Sequence, residues 1–154
     1  MRRATASVLA LILAAALALP AQAAMRDEPK DFRGIPFGKR FNPGNTFACE
    51  MDSEEGLRCT RASDDKHLCG VPLKSLNYLF MYHYLFTVDM EVDGQENFDK
   101  IVQELTARHG KPTPQSGGTS LITGRNVDIM LYYDATRHTG EVGYVFKNLP
   151  CPVE

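Results

Sequence analysis

After residue 24 the chain has no apolar run long enough to cross a bilayer, because a helix spanning hydrocarbon needs about 20 consecutive apolar residues. It has no excess of positive charge either. Lys and Arg number 17 against 19 Asp and Glu, a formal net charge of −2, and without Arg2 and Arg3 the balance is 15 against 19, or −4. Nucleic acids and anionic membranes each favour a basic patch, so this balance gives no electrostatic reason to expect either as a partner. Catalytic and metal signatures are missing as well. There is no Gly-x-Ser-x-Gly elbow and no His-x-x-x-His, Cys-x-x-Cys or Glu-x-x-His pair, and Gly117-Gly118 is not followed by the Lys-Ser/Thr of a phosphate loop. Gly34 and Gly38 lack the strand-then-helix setting of a dinucleotide site.

The residues that could carry chemistry are scattered. His67, His83, His109 and His138 fall in separate elements, and only His67 has a second soft ligand nearby, in Cys69. Met81, Met90 and Met130 read as fillers of core gaps rather than as a soft copper site. Asp52, Glu54, Glu55, Asp64 and Asp65 sit in polar turns, where carboxylates are ordinarily solvated. No catalytic residue, metal ligand or cofactor site is therefore assigned, and the expectation is a protein that is not an enzyme.

What is there begins with Arg2 and Arg3, an apolar run from Val8 to Leu19, then Pro20 and Ala21-Gln22-Ala23-Ala24. A charged start, a short apolar core and small residues at a cleavage site read as a secretory signal peptide over residues 1–24. Residues 25–31, charged and interrupted by Pro29, read as a mobile lead-in, and residues 32–154 as a single domain with no membrane span after cleavage. The expected location is the periplasm or the exterior. There, four cysteines, an even number, imply two disulfides with three formal pairings. The polar stretch Arg61–Lys66 reads as a hairpin turn, which favours Cys59–Cys69 and leaves Cys49–Cys151.

Periodicity supplies the architecture. Leu76, Tyr78 and Phe80, then Phe86, Val88, Met90 and Val92, alternate with more polar neighbours as two half-buried strands of a hairpin. Phe98, Ile101, Val102 and Leu105 then fall on a helical stripe over 94–109, with Asp93 and Glu96 as a capping box at its start and Gly110 and Pro112 at its end. Short strands are expected at Thr46–Met51 and Leu57–Thr60. Three more are expected after the helix, at Ser120–Thr123, Val127–Tyr133 and Val142–Phe146. The class is α+β: an antiparallel sheet with one principal helix packed on one face, stabilised by disulfides.

Aromatics crowd the hairpin beyond what one core face can take. Tyr78, Phe80, Tyr82, Tyr84 and Phe86 cannot all point the same way, so part of the hairpin presents apolar groups outward. Its tip, Met81, Tyr82, His83 and Tyr84, is the candidate contact with a partner, which would be an envelope or secreted protein. The alternative is a small periplasmic enzyme or ligand carrier with a pocket between helix and sheet.

Phe32-Arg33-Gly34-Ile35-Pro36-Phe37-Gly38, Gly70-Val71-Pro72 before a Leu-x-Tyr-x-Phe strand, and Glu96-Asn97-Phe98 leading to Arg108-His109-Gly110-Lys111-Pro112 resemble an uncharacterised family of small exported bacterial proteins. The resemblance implies an α+β domain with an antiparallel sheet and one main helix. It implies no catalytic residues. Met81-Tyr82-His83-Tyr84 departs from that family, whose members tend to carry a polar Gly-Lys or Gly-Arg turn there.

Overall fold

The computed structural model describes residues 24–52 and 56–150. Residues 1–23, which hold nearly all of the expected signal peptide, and Cys151 lie outside that range. In chain order, β1 (Asp31–Phe32) and β2 (Ile35–Pro36) form a small hairpin, followed by β3 (Phe47–Met51) with β4 (Gly56–Arg61) and by β5 (His67–Leu68) with β6 (Val71–Pro72). The long hairpin of β7 (Ser75–Met81) and β8 (Tyr84–Asp93) runs into helix α1 (Gln95–His109). After it come β9 (Thr113–Pro114), β10 (Ser120–Thr123), β11 (Val127–Asp134) and β12 (Thr139–Phe146). Eight strands make one sheet in the order β3-β4-β7-β8-β12-β11-β10-β9, with every pairing antiparallel. The molecule is α+β, mostly antiparallel sheet with one α-helix among the described residues.

Strand alternation sorts the side chains. Leu76, Tyr78 and Phe80 on β7, Val88, Met90 and Val92 on β8, and Val142, Tyr144 and Phe146 on β12 are all buried, as are Ile129 and Leu131 on β11. From the helix, Phe98, Ile101 and Leu105 join the same core, and α1 contacts β8, β11, β12 and β6. Each such side chain withdrawn from water contributes about 1.5–3 kcal/mol. Gly140 lets α1 press closely on β12: a Cβ there would lie 2.3 Å from Cδ2 of Phe98.

The helix begins differently from the expected capping box. Gly94 (φ 84°) is the cap residue, no side chain caps the first turn, and Asn97 Nδ2 donates to the Asp93 carbonyl at 2.9 Å. Positive φ at Gly94 swings the chain directly from β8 into α1, which carries the Asp93 side chain away from the free amides. The exit is as expected, with Gly110 (φ 116°) donating its N–H to Thr106 O at 3.0 Å.

The disulfide pairing is a correction. Cys49 bonds Cys59, the two standing directly opposite each other in the β3–β4 register, and Cys69 is a free thiol. Cys59–Cys69 and Cys49–Cys151 are thereby both replaced. Two stretches of equal length separate these cysteines, and either could have been the hairpin. The second is pulled out of line because Asp64 accepts from Arg61 (2.6 and 2.8 Å) and from the Tyr78 hydroxyl (2.6 Å). That ties residues 61–64 onto β7, and the chain continues into a separate β5–β6 pair turning at Cys69-Gly70 (φ 52° and 73°). Burial, joined by the bond to the Asp64 carboxylate, pushes the Tyr78 hydroxyl well above its usual range.

Residues 25–31, expected to be a mobile lead-in, are bonded to the body at several points. Met25 N–H donates to Thr123 O (3.1 Å), Arg26 N–H to His109 O (2.8 Å), and Glu28 Oε1 accepts from the Asn126 and Val127 amides (2.5 and 2.8 Å). The glycine-broken motif that follows makes the β1–β2 hairpin, with Arg33-Gly34 in positive φ at its turn. Phe32, Ile35 and Phe37 are buried, and Phe32 meets the rings of Tyr78 and Tyr144.

Candidate functional site: a sheet face and its hairpin tip

Opposite the buried parity lies a second set of side chains, and on β7 and β8 these are half buried, apart from the buried Thr87 and the exposed Asp93. The β7–β8 hairpin reaches this state through a bulge. Leu79 opposes Thr87 while Phe80 opposes Leu85, so Phe86 is an extra residue. The phase slip shows in β8 as two consecutive buried positions, Thr87 and Val88. It keeps Leu85 in the core and leaves Leu79, Met81, Tyr84 and Phe86 half buried around one end of the hairpin, near Val145 of β12.

The other end of this face is acidic. Glu91 and Glu141 stand directly opposite each other across β8 and β12, a like-charge pairing that costs stability unless a cation spans it. Arg137 does so, at 3.5 Å from Glu91 and 3.3 Å from Glu141. On the neighbouring strands Arg58 reaches Asp52 (2.9 Å) and Asp89 (3.7 Å). Partial burial pushes the Asp89 carboxyl above its ordinary range; Arg58 opposes that, and Glu141 and Asp52 add to it.

The tip residues are placed as follows. Met81 ends β7, Tyr84 starts β8, and Tyr82-His83 form a two-residue turn at φ 51° and 67°, the left-handed pair such hairpins need. His83 is exposed and the other three are half buried. The tip does not stand free. Phe41 N–H donates to His83 O at 2.8 Å, Arg40 bridges Tyr84 and Phe37 bridges Leu85, so residues 37–41 continue the sheet beside β8 beyond the end of β12.

A cleft of about 560 Å³ lies elsewhere, between residues 27–33, the 67–69 turn, the end of α1 and Tyr144. Cys69, Arg108 and His109 line it, and His109, buried, bonds the Asp27 carbonyl through Nδ1 at 2.8 Å. Burial pushes the Cys69 thiol up, and burial takes the Tyr144 hydroxyl to about 12. At neutral pH both are protonated, so this cleft offers a thiol and a phenol rather than a nucleophilic anion. Of the other histidines, His67 bonds Asp65 at 2.6 Å and His138 occupies a turn at φ 52°. Among the described residues no three His, Cys, Asp or Glu side chains form a metal-binding group.

Comparison with protein-family models, with characterised proteins and with solved structures gives no match. No helix among the described residues is long and apolar enough to cross a membrane. The bulge that shapes this site is missing from the sequence reading, although the consecutive apolar run Tyr84-Leu85-Phe86 marks it; the Asp64 network of the fold, which joins residues up to 31 positions apart, leaves no local pattern.

Proposed function

We propose that this is a non-enzymatic exported protein that binds another envelope or secreted protein through the half-buried face of its sheet. In this reading α1 and the segment 25–41 cover one face, and the partner covers the other, centred on Leu79, Met81, Tyr84 and Phe86 with the hairpin tip at its rim. The observation that carries it is the contrast along β7 and β8: one parity fully buried, the other half open and apolar at one end. Rigid rings on a pinned hairpin bury area at modest entropic cost, which suits a docking surface. The Cys49–Cys59 bond is compatible with export.

The test is affinity capture from an envelope fraction with crosslinking, comparing wild type with Leu79→Ser/Phe86→Ser, with Tyr82→Ser/Tyr84→Ser and with Gln103→Ser on the exposed side of α1. Loss of the same crosslinked species in the first two variants, with retention in the third, supports the reading. Equal recovery in all of them removes it. A second reading, a ligand carrier or small enzyme, is favoured by the convergence of Cys69, Arg108 and His109 on the 560 Å³ cleft. It predicts that Arg108→Ala abolishes a ligand-induced rise in Tm while leaving protein capture intact.

A further inference from the structure

An open sheet must protect its edges, because a row of unpaired N–H and C=O groups recruits other strands. Here several edges are covered. At one side β9 is two residues long and contains Pro114, next to Pro112. The remainder of β10 is met by Met25, whose N–H bonds Thr123 O, and the start of β8 is met by Phe37, Arg40 and Phe41. Among the described residues the opposite edge, β3, lies open along its whole length. Its sequence Phe47-Ala48-Cys49-Glu50-Met51 has neither proline nor lysine, and its pairing with β4 runs without a bulge. Four of its five residues are exposed, and Met51 at 70 % is the one exposed large hydrophobic side chain among the described residues.

Two observations fix which backbone groups of β3 face outward. Cys49 and Cys59 have Cα atoms 4.1 Å apart, the close spacing of a non-hydrogen-bonded pair, and Asp52 N–H donates to Gly56 O at 2.9 Å, which places the bonded pairs at even-numbered residues of β3. The N–H and C=O groups of Phe47, Cys49 and Met51 therefore point away from β4.

We propose that β3 pairs with β3 of a second copy of this chain, antiparallel and centred on Cys49. In that register Cys49 exchanges backbone hydrogen bonds with its own counterpart, and Phe47 does so with Met51 of the partner copy. Pairing about Ala48 or Glu50 would also be two-fold symmetric, but only the register about Cys49 pairs all five residues of β3, and pairing about Glu50 would set two carboxylates face to face. The exposed Met51 is laid beside the partner's Phe47 on the same side of the sheet, and each Glu50 stands opposite a small Ala48 instead of another carboxylate. The two eight-stranded sheets become one continuous sheet, with the Leu79–Phe86 surface left free in both copies.

The test is the dissociation constant of the purified mature protein, from light scattering and sedimentation over a concentration series. Wild type is expected to dimerise. Ala48→Glu sets two carboxylates against the Glu50 side chains and should weaken the dimer at least about tenfold, equivalent to about 1.4 kcal/mol. Ala48→Lys should tighten it, an opposite sign that a mere folding defect would not produce. Met51→Lys should weaken it, with unchanged circular dichroism and an intact Cys49–Cys59 bond. A monomer at every concentration overturns the proposal, as does a dimer whose constant is the same in all three variants.

Discussion

Gly140→Ala is a substitution whose sign the packing decides. On a strand, replacing glycine by alanine ordinarily stabilises by about 0.4–1 kcal/mol, because the unfolded chain has less freedom to lose. Here the new methyl group would lie 2.3 Å from Cδ2, 2.7 Å from Cγ and 2.8 Å from Cβ of Phe98. Rotating the ring relieves the first contact but not the last, since Cβ is fixed by the helix backbone. Either α1 lifts from β12 or the strand bends, and overpacking of this kind costs about 1–3 kcal/mol. The net expectation is destabilisation of about 1–2 kcal/mol, read as a fall of about 1 M in the urea midpoint at constant slope. Phe98→Leu keeps Cβ but removes the ring, so it should cost less in the Gly140→Ala background than in wild type, with a coupling of about 1 kcal/mol. A Gly140→Ala protein as stable as wild type or more so, or two effects that simply add, would show that α1 does not press on β12 at this point.

Other consequences follow from single contacts. A non-reducing peptide map should recover Cys49 joined to Cys59, and replacing both by Ser should cost about 3 kcal/mol or less, as expected for so short a loop. Asp64→Ala strands Arg61 and the Tyr78 hydroxyl and should cost about 2–4 kcal/mol by urea unfolding, whereas Tyr78→Phe, which removes one bond, should cost about 1 kcal/mol. Backbone amides at Asn126 and Val127 hold the Glu28 carboxyl below its ordinary value against the opposing effect of burial. Its contribution is thus present above the unfolded value of 4.5 and lost as pH falls through the folded one, so wild type and Glu28→Gln should converge in Tm in acid. Asp89 has the opposite sign. Its raised folded pKa means that ionisation costs stability above that pKa and protonation relieves the cost, so Asp89→Asn should match or slightly exceed wild type near neutral pH and lose that advantage in acid.

Periodicity made much of this fold legible. The two-residue repeats of 76–80 and 88–92 and the three-to-four-residue repeat of 98–105 each record which side chains meet water, and β7, β8 and α1 follow them, as β11 and β12 follow their own alternation. The exception is Phe86, expected in line with Val88 but displaced by the bulge, which puts Leu85 in the core instead. Pairing between cysteines was not legible, because two equal spacings flanked by polar turns look alike until Asp64 chooses between them. Nor was the role of residues 25–31. Charged residues beside Pro29 read as solvated, yet Arg26 donates to the Thr106 and Ala107 carbonyls at the end of α1, and Glu28 takes two amides of the β10–β11 turn. Such charge-to-backbone bonds carry no periodicity. The surplus of aromatics was visible in the sequence, and the bulge at Leu79/Phe80 divides them between core and surface.

Methionine oxidation followed by mass spectrometry tests most directly whether one sheet face is covered and the other is open. Met90, 1 % exposed, lies on the covered parity, whereas Met81 and Met130 lie on the other and are half buried. Under dilute peroxide Met81 and Met130 should oxidise well before Met90, and bound partner should slow Met81. Equal rates at all three, or Met90 reacting first, would contradict the arrangement of helix, sheet and open face.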